Sequence, residues 1–224
     1  MRVARVLVAA LMVALLTLTA ACTRQVRGSA LPDPRTPGTA VTDDGFGIIV
    51  GDPAAPVHIE VFTEPQCSHC ADLQADFGKA LGSYLSLGLL ALTYRPVVFL
   101  DTATNDHSAR VSNALFLAAG PDTSAAVFQT FVEDLWAHHG VDDGPTDTEI
   151  ADMAAKSGIT DATVDRIGSG DKALDVREMS DANFGHLLDV DPVNPGTPTV
   201  YDLDNNDKID IYNDNWLSKL MSSA

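Results

Sequence analysis

The stretch VHIEVFTEPQCSHCADLQADFGKALGSYL, residues 57–85, places two cysteines between two different hydrophobic patterns. Its first six residues, VHIEVF, include β-branched side chains and alternate in polarity, which is typical of a strand. After Cys67 and Cys70, apolar residues recur at the spacing of one helix face: Leu73, Phe77, Leu81 and Leu85. The sequence therefore predicts a strand followed by a helix that begins at the cysteine pair.

Two thiols at this spacing can bind a metal, form a structural disulfide or exchange disulfides with another molecule. A zinc site usually has four protein ligands when structural and three when catalytic, but the sequence has no second cysteine pair. His69 lies between the cysteines, where it cannot easily close a chelate, and the adjacent His138 and His139 diverge on a helix. A disulfide that closes so short a loop removes little chain entropy. We therefore expect neither a metal nor a purely structural role.

The predicted helix start favours redox chemistry at Cys67. Free backbone N–H groups and the positive end of the helix dipole stabilise a thiolate there, and such cysteines have a pKa below the usual value of about 8.5. The thiolate attacks a disulfide through a mixed-disulfide intermediate. Cys70, one turn further along, is placed to resolve that intermediate. We expect Cys67 to be the exposed attacking thiol, Cys70 the buried one, and the two to form a disulfide when oxidised.

The N-terminal residues indicate export. Arg2 and Arg5 precede an uncharged apolar run, residues 6–21, which is shorter than the roughly 20 residues needed to span a bilayer comfortably. A basic head, a short apolar run and small residues before a cleavage site predict a secretory signal peptide over residues 1–21.

The end of this run, LTAAC, is similar to a bacterial lipobox, although Thr19 stands where a bulky aliphatic residue is usual. Cys22 is therefore the expected site of lipidation and the membrane anchor; cleavage without lipidation and an uncleaved anchor are the alternatives. Residues 22–45 are rich in Pro, Gly, Thr and Ser, and we predict that they form a flexible tether after the lipidated cysteine.

The remaining residues, 46–224, predict one α/β domain. Residues 89–100 have the apolar character of a buried strand, broken or bent near Pro96. Residues 105–188 have helical periodicity throughout. TVYDL and KIDIY flank the turn DNND as a hairpin, and NWLSKLM can form a closing helix. A helical block inserted between strand-containing segments gives an α/β domain, not a helical bundle.

The net charge of the chain argues against nucleic acid as a partner. The 224-residue chain has 14 Lys and Arg against 31 Asp and Glu, a net charge of −17. Such a surface repels phosphate backbones, so we expect no nucleic-acid partner. No dimerisation segment is evident, and a monomer is expected.

The stretch VGDPAAPVHIEVFTEPQCSHC, residues 50–70, resembles the start of the thioredoxin-like fold in the DsbA-type thiol-disulfide oxidoreductases. The helical block over residues 105–188 is similar to that family's inserted helical domain, and NPGTPTVYDL is similar to the family's cis-proline strand. The resemblance covers residues 46–222. It implies a cis bond before Pro198, substrate docking at Thr197 and Pro198, tuning of the redox potential by His69, and no cofactor.

One position departs from the family pattern. Many members carry an acid six residues before the first cysteine, where its burial helps to move a proton during exchange. That position is Val61 here, and Glu60, one residue earlier, points to the other face of the sheet.

These observations together predict an extracytoplasmic, membrane-anchored thiol-disulfide oxidoreductase that oxidises paired cysteines in exported proteins. A membrane redox partner would reset the Cys67–Cys70 pair. A disulfide reductase or isomerase is the alternative of the same class. The alternative of a different class is a non-catalytic scaffold lipoprotein with a structural disulfide.

Overall fold

The computed structural model describes residues 37–140 and 144–223, so the predicted signal peptide and Cys22 lie outside the described residues. Four strands and one helix precede a central run of five helices, and two strands and a last helix follow it. The elements are β1 Gly38–Val41, β2 Ile48–Gly51, β3 Val57–Thr63, α1 Ser68–Ser86, β4 Leu90–Pro96, α2 His107–Ala118, α3 Ala125–Ala137, α4 Asp147–Ser157, α5 Asp161–Gly168, α6 Val176–Val190, β5 Thr199–Asp202, β6 Asp207–Lys208 and α7 Trp216–Ser222.

These strands form one six-stranded sheet in the order β1-β2-β4-β3-β5-β6. The central strand β3 runs parallel to β4 and antiparallel to β5. Side chains alternate between the two faces of a strand, and both faces of β3 are covered, which explains why six of its seven residues are buried. The mixed sheet with the helical run between β4 and β5 is the predicted thioredoxin-like architecture with an inserted helical domain.

Helices cover the two faces of this sheet. On one face, α1 buries Leu73, Leu81 and Leu85 in the main core, where Val61 also lies. On the other face, the ring of His186 in α6 packs on Phe62, with ring centroids 5.3 Å apart. The sheet is therefore enclosed by α1 and the main core on one face and by α6 on the other.

Glu60 lies on the α6 face of β3, as the alternation of the strand predicts. Its side chain is 3% exposed and accepts hydrogen bonds from Arg95 Nε at 2.7 Å and from His186 Nε2 at 2.8 Å. A buried carboxylate needs such partners to offset its desolvation. Glu60 thus ties α6 to the sheet.

The predicted tether boundary at residue 45 is wrong, because residues 38–45 belong to the folded domain. β1 pairs antiparallel with β2. The Thr39 hydroxyl donates to Gly120 O at 2.9 Å and accepts from Gly120 N at 2.8 Å. The sequence interpretation missed this strand because its residues, GTAV, are short and have few large apolar side chains; pairing and the long-range contact stabilise it instead.

The predicted strand over residues 89–100 is shorter than expected. β4 ends at Pro96, and Phe99 and Leu100 are 48% and 45% exposed. A proline lacks the N–H that would continue the ladder, so the chain leaves the sheet there.

Within residues 37–140 and 144–223, no helix has both the length and the apolar character required to cross a membrane.

Candidate active site

Cys67 lies at the junction between the central strand and α1. The chain turns after β3, with Cys67 N donating to Glu64 O at 3.0 Å, and Cys67 is the N-cap residue of α1. Its carbonyl accepts from Cys70 N and Ala71 N, both at 3.1 Å. The cysteine pair therefore lies between the carboxyl end of β3 and the start of α1, as the sequence predicts.

The two thiols are free in this structure and have different environments. Cys67 is partly exposed, and its pKa is lowered to about 5. The largest cause of this lowered pKa is a hydrogen bond from the Cys70 thiol. Burial opposes it by raising the pKa. A contact with Thr197 and the backbone N–H groups of Cys70 and His69 lower the pKa further. The Cys70 thiol, with a smaller contribution from the backbone N–H groups of the helix start, thus favours the thiolate form of Cys67 at neutral pH.

Cys70 has the opposite character. It is 1% exposed, and burial followed by the interaction with Cys67 raises its pKa well above the usual range. Glu64 N donates to its Sγ at 3.5 Å, and the Thr63 hydroxyl also hydrogen-bonds to the sulfur. Cys70 is therefore a thiol at neutral pH, and a nucleophile from outside would meet Cys67 first.

The proline loop brings Thr197 to the active sulfur across 130 residues of sequence. The Thr197–Pro198 peptide bond is cis, and Thr197 O accepts the S–H of Cys67 at 3.3 Å. A cleft of about 350 Å³ lies beside this contact and is lined by Asn194 and by residues 196–199 and 208–212. The structure thus brings together Cys67, Cys70, Thr197 and Pro198, four of the residues singled out from the sequence.

The imidazole of His69 does not point at the sulfurs in this structure. Its side chain is 67% exposed, and Nδ1 lies 3.6 Å from Asp72 Oδ2. The contact of His69 with Cys67 is instead through the backbone: the Cys67 sulfur accepts a hydrogen bond from the His69 N–H.

Glu64 and Ser108 are the site residues that sequence reasoning missed. Glu64 is 0% exposed, and its carboxylate accepts hydrogen bonds from Gln66 N at 2.6 Å and from the Ser108 hydroxyl in the first turn of α2. Burial, with smaller contributions from Asp101 and Cys67, raises the pKa of Glu64 to about 7 against the effect of these hydrogen bonds. The adjacency of Glu64 to the CxxC motif was the available signal, but its burial depends on packing by α2.

A groove of about 890 Å³ adjoins the cysteine site, between the loop after β4 and α6. Phe99 and Phe184 lie in it edge to face, with centroids 6.2 Å apart, and remain 48% and 38% exposed. Asp101, which also lines the groove, accepts a hydrogen bond from Gln66 Nε2 at 2.9 Å and so connects it to the cysteine loop. Exposed aromatic residues in a concave surface are typical of a site that binds apolar side chains.

In the described part of the chain, no group of three or more His, Cys, Asp or Glu side chains is arranged to hold a metal ion.

Comparisons of the sequence give a family and a set of distant relatives. The family model described as Thioredoxin matches residues 43–210, most of the chain. The serine/threonine-protein kinase PknE of Mycobacterium tuberculosis, and that of Mycobacterium bovis, are 26% identical over 181 residues. The match covers 78% of this chain and 31% of the kinase, so the chain spans about a third of the length of the curated relatives it matches.

Solved structures give the fold. The MdbA thiol-disulfide oxidoreductase of Corynebacterium diphtheriae superposes with a TM-score of 0.69 at 18% identity, over 87% of this chain and 96% of that one. The MdbA thiol-disulfide oxidoreductase of Corynebacterium matruchotii also has a TM-score of 0.69, at 21% identity. This match covers 82% of this chain and 92% of that one. Reduced DsbA of Mycobacterium tuberculosis has a TM-score of 0.58 at 20% identity, and the match covers 78% of this chain and 86% of that one. The chain belongs to the thioredoxin family, and its fold is that of the DsbA-type proteins.

Proposed function

We propose that this protein is a thiol-disulfide oxidoreductase that oxidises paired cysteines in exported proteins. The observation that carries the proposal is the asymmetry of the pair: Cys67 is partly exposed, lies 3.3 Å from Thr197 O and has a lowered pKa, whereas Cys70 is buried and has a raised pKa. The names of the structural neighbours, thiol-disulfide oxidoreductase among them, support the same reaction.

The low pKa of Cys67 favours the oxidising direction. A stabilised thiolate lowers the free energy of the reduced pair relative to the disulfide, so the pair accepts electrons more readily. In the oxidised protein, a substrate thiolate would attack Cys67, and a second substrate thiol would then release Cys67 as a thiolate. A membrane redox partner would reoxidise the pair.

Substrate would bind at two adjoining surfaces. The backbone at Thr197, next to the cis Pro198, would pair with an extended substrate segment. The groove that contains Phe99 and Phe184 would bind apolar side chains of a chain that has not yet folded. In this proposal the protein acts as a monomer, without a cofactor, on exported proteins that contain cysteines.

The reduction potential of the Cys67–Cys70 pair tests this function. Equilibration with glutathione should give a potential above that of thioredoxin, about −270 mV, and towards that of DsbA, about −120 mV. The resemblance predicts that His69→Ala lowers it; because the imidazole lies beside Asp72 in this structure, this effect requires the side chain to turn towards the sulfurs, where it would favour the thiolate. Asp72→Asn, which keeps the imidazole and removes its ion-pair partner, should leave the potential unchanged or higher.

Other values of the potential would identify the alternatives. A potential near that of thioredoxin would indicate a reductase, and a disulfide that glutathione cannot open would indicate a scaffold. An unchanged potential in His69→Ala would leave the backbone N–H groups as the source of the stabilisation.

Membrane anchoring through a lipid on Cys22 completes the proposal. Cys22→Ser should release the protein from the membrane fraction, because the attached acyl chains would be the anchor. Fractionation of cells that express wild type and variant measures this. Membrane retention of the variant would instead indicate an uncleaved N-terminal segment.

A further inference from the structure

The groove of about 890 Å³ ends close to the attacking thiol. Pro195 lines the groove and lies two residues before Thr197, whose carbonyl oxygen is 3.3 Å from the Cys67 sulfur. A substrate segment with an apolar side chain in the groove would therefore have a nearby cysteine close to Cys67. Efficient exchange then requires a fixed position of this sulfur relative to the groove, because a misplacement of about 1 Å can cost about 100-fold in rate.

Hydrogen bonds hold the two walls of the groove together. Phe99 lies in a turn that is closed by Asp101 N, which donates to Val98 O at 3.2 Å. Val98 N in turn donates to the hydroxyl of Ser180, a buried residue of α6, at 3.0 Å. Phe184 follows Ser180 by one turn of the same helix, on the same side. The turn that carries one aromatic ring is thus bonded to the helix that carries the other.

The side chain of Gln66 joins this groove to the cysteine loop. Gln66 immediately precedes Cys67, and its amide makes three hydrogen bonds. Its Nε2 donates to Asp101 Oδ1 and to Ser108 Oγ, both at 2.9 Å, and its Oε1 accepts from Asn105 Nδ2 at 3.0 Å. The bond to the carboxylate is charge-assisted and therefore the strongest kind. An amide with both of its donor hydrogens and its acceptor engaged is held in one orientation.

The partners of this amide are themselves fixed to the first turn of α2. Asp101 Oδ1 accepts from Ser108 N at 2.8 Å, and Asp101 Oδ2 accepts from Ala109 N at 2.9 Å. Asp101 also lines the groove, so Gln66 bonds directly to a groove residue. The Ser108 hydroxyl binds Glu64 as well, which joins the cysteine loop to α2 at a second point. Gln66 therefore connects the attacking cysteine to a segment that cannot shift independently of the groove.

We propose that Gln66 is a positioning residue for disulfide exchange: its amide holds the Cys67 sulfur in place relative to the groove, so that a substrate bound through an apolar side chain presents its cysteine to that sulfur. This inference rests on the exchange reaction and the groove binding proposed above. In that reaction the substrate dithiol gives up two electrons and two protons and forms a disulfide. The Cys67–Cys70 disulfide takes up the electrons, and the protons go to Cys70 and to solvent or Cys67. Gln66 acts on this step through the position of Cys67.

Single-turnover kinetics with two synthetic peptides test the proposal. The peptides have equal length and two cysteines each, and they differ only in the residues beside one cysteine: Phe and Leu in the first, Ser and Asn in the second. Oxidised protein is mixed with excess reduced peptide, and acid-quenched samples are analysed by mass spectrometry. The dependence on peptide concentration gives a maximal rate and a half-saturating concentration. Wild type should reach half saturation at a lower concentration of the apolar peptide.

Gln66→Ala and Phe184→Ala should separate these two constants. In Gln66→Ala the maximal rate with the apolar peptide should fall by about 10- to 100-fold, because bound peptide is no longer presented correctly. The half-saturating concentration should stay close to that of wild type, since Phe99 and Phe184 still form the groove. Phe184→Ala should mainly raise the half-saturating concentration, because it removes an apolar contact with the peptide.

An exchange of donor and acceptor tests the contact itself. In Gln66→Glu, two carboxylates face each other where the wild type has a hydrogen bond at 2.9 Å, and the maximal rate should fall at least as far as in Gln66→Ala. Adding Asp101→Asn restores a donor opposite the new carboxylate and leaves the net charge as in wild type. The double variant should recover part of the lost rate.

Asn205→Ala is the matched control. Asn205 Nδ2 donates to Asp202 Oδ2 at 2.8 Å within the turn of the β5–β6 hairpin, so this variant also removes one amide from a loop. Both kinetic constants should equal those of wild type. Circular dichroism and thermal unfolding of every variant establish that it folds.

The alkylation midpoint of Cys67 separates positioning from a change in the thiol. It should stay near the wild-type value of about 5 in Gln66→Ala, because the groups that shift the pKa of Cys67 are Cys70, Thr197 and the His69 N–H. A wild-type maximal rate in Gln66→Ala would overturn the proposal. So would a shifted midpoint with equal losses for both peptides, or a wild type that does not prefer the apolar peptide. Failure of wild type to exchange with either peptide and with glutathione would instead count against the proposed function.

Discussion

Cys70→Ser will accumulate mixed disulfides with substrate proteins, whereas Cys67→Ser will accumulate none. In the proposed mechanism Cys67 makes the first covalent bond, because it is partly exposed and its pKa is lowered. Without the Cys70 thiol, no second cysteine of the described residues, 37–140 and 144–223, can resolve that bond. We expect nearly all disulfide-linked complexes to be lost in Cys67→Ser, measured by non-reducing electrophoresis after capture of each variant from cells and identification of the linked partners.

The variant lacking both thiols is the control for this experiment. Cys67→Ser with Cys70→Ser should recover the background that Cys67→Ser alone recovers. The same covalent partners in both single variants would refute the assignment of Cys67 as the attacking thiol. No complexes in Cys70→Ser would argue for a scaffold.

Alkylation of the reduced protein will label Cys67 with a pH midpoint near 5. An ordinary cysteine, with a pKa of about 8.5, is only a few per cent thiolate at pH 7. Cys67 should be almost fully ionised there, because hydrogen bonds to its sulfur lower its pKa. Cys70 should stay unlabelled, since it is 1% exposed and protonated. Mass spectrometry of the labelled peptide across a pH series measures both.

Two substitutions at Cys70 make this prediction sharper. The Cys70 thiol is the largest cause of the lowered pKa of Cys67. Cys70→Ala removes that donor and should move the midpoint upward, whereas Cys70→Ser keeps a donor and should move it less. Equal midpoints in the two variants would show that the backbone N–H groups alone stabilise the thiolate, and slow, equal labelling of both cysteines in wild type would contradict the asymmetry of the pair.

The sequence alone predicted the local arrangement of the site, because that arrangement depends on short-range patterns. The two-residue alternation of VHIEVF became β3, and the helical spacing from Leu73 to Leu85 became α1, with Cys67 at its start. The helical block and the hairpin were also predicted. The resemblance to a known family, not the periodicity, indicated that the bond before Pro198 is cis.

The short edge strand β1 shows where local patterns fail. It has only four residues, of which the β-branched Thr39 and Val41 favour a strand, and only one of the four is buried. The strand β1 is stabilised by its pairing with β2 and by the hydrogen bond between the Thr39 hydroxyl and Gly120 O. Such a strand cannot be distinguished from a flexible segment by composition alone, because its stability comes from neighbours far along the chain.

The sequence by itself determined that a thiol pair lies between a central strand and a helix start. Only the tertiary structure decided what surrounds those thiols. Thr197 reaches Cys67 because β5 pairs beside β3, and Glu64 is buried where Ser108 of α2 meets the cysteine loop. In the sequence, Glu64 is an acid in a turn, which is usually exposed. The difference is physical: strand and helix propensities act between near neighbours, whereas burial, and the pKa shifts that follow from it, arise only when distant segments pack together and exclude water.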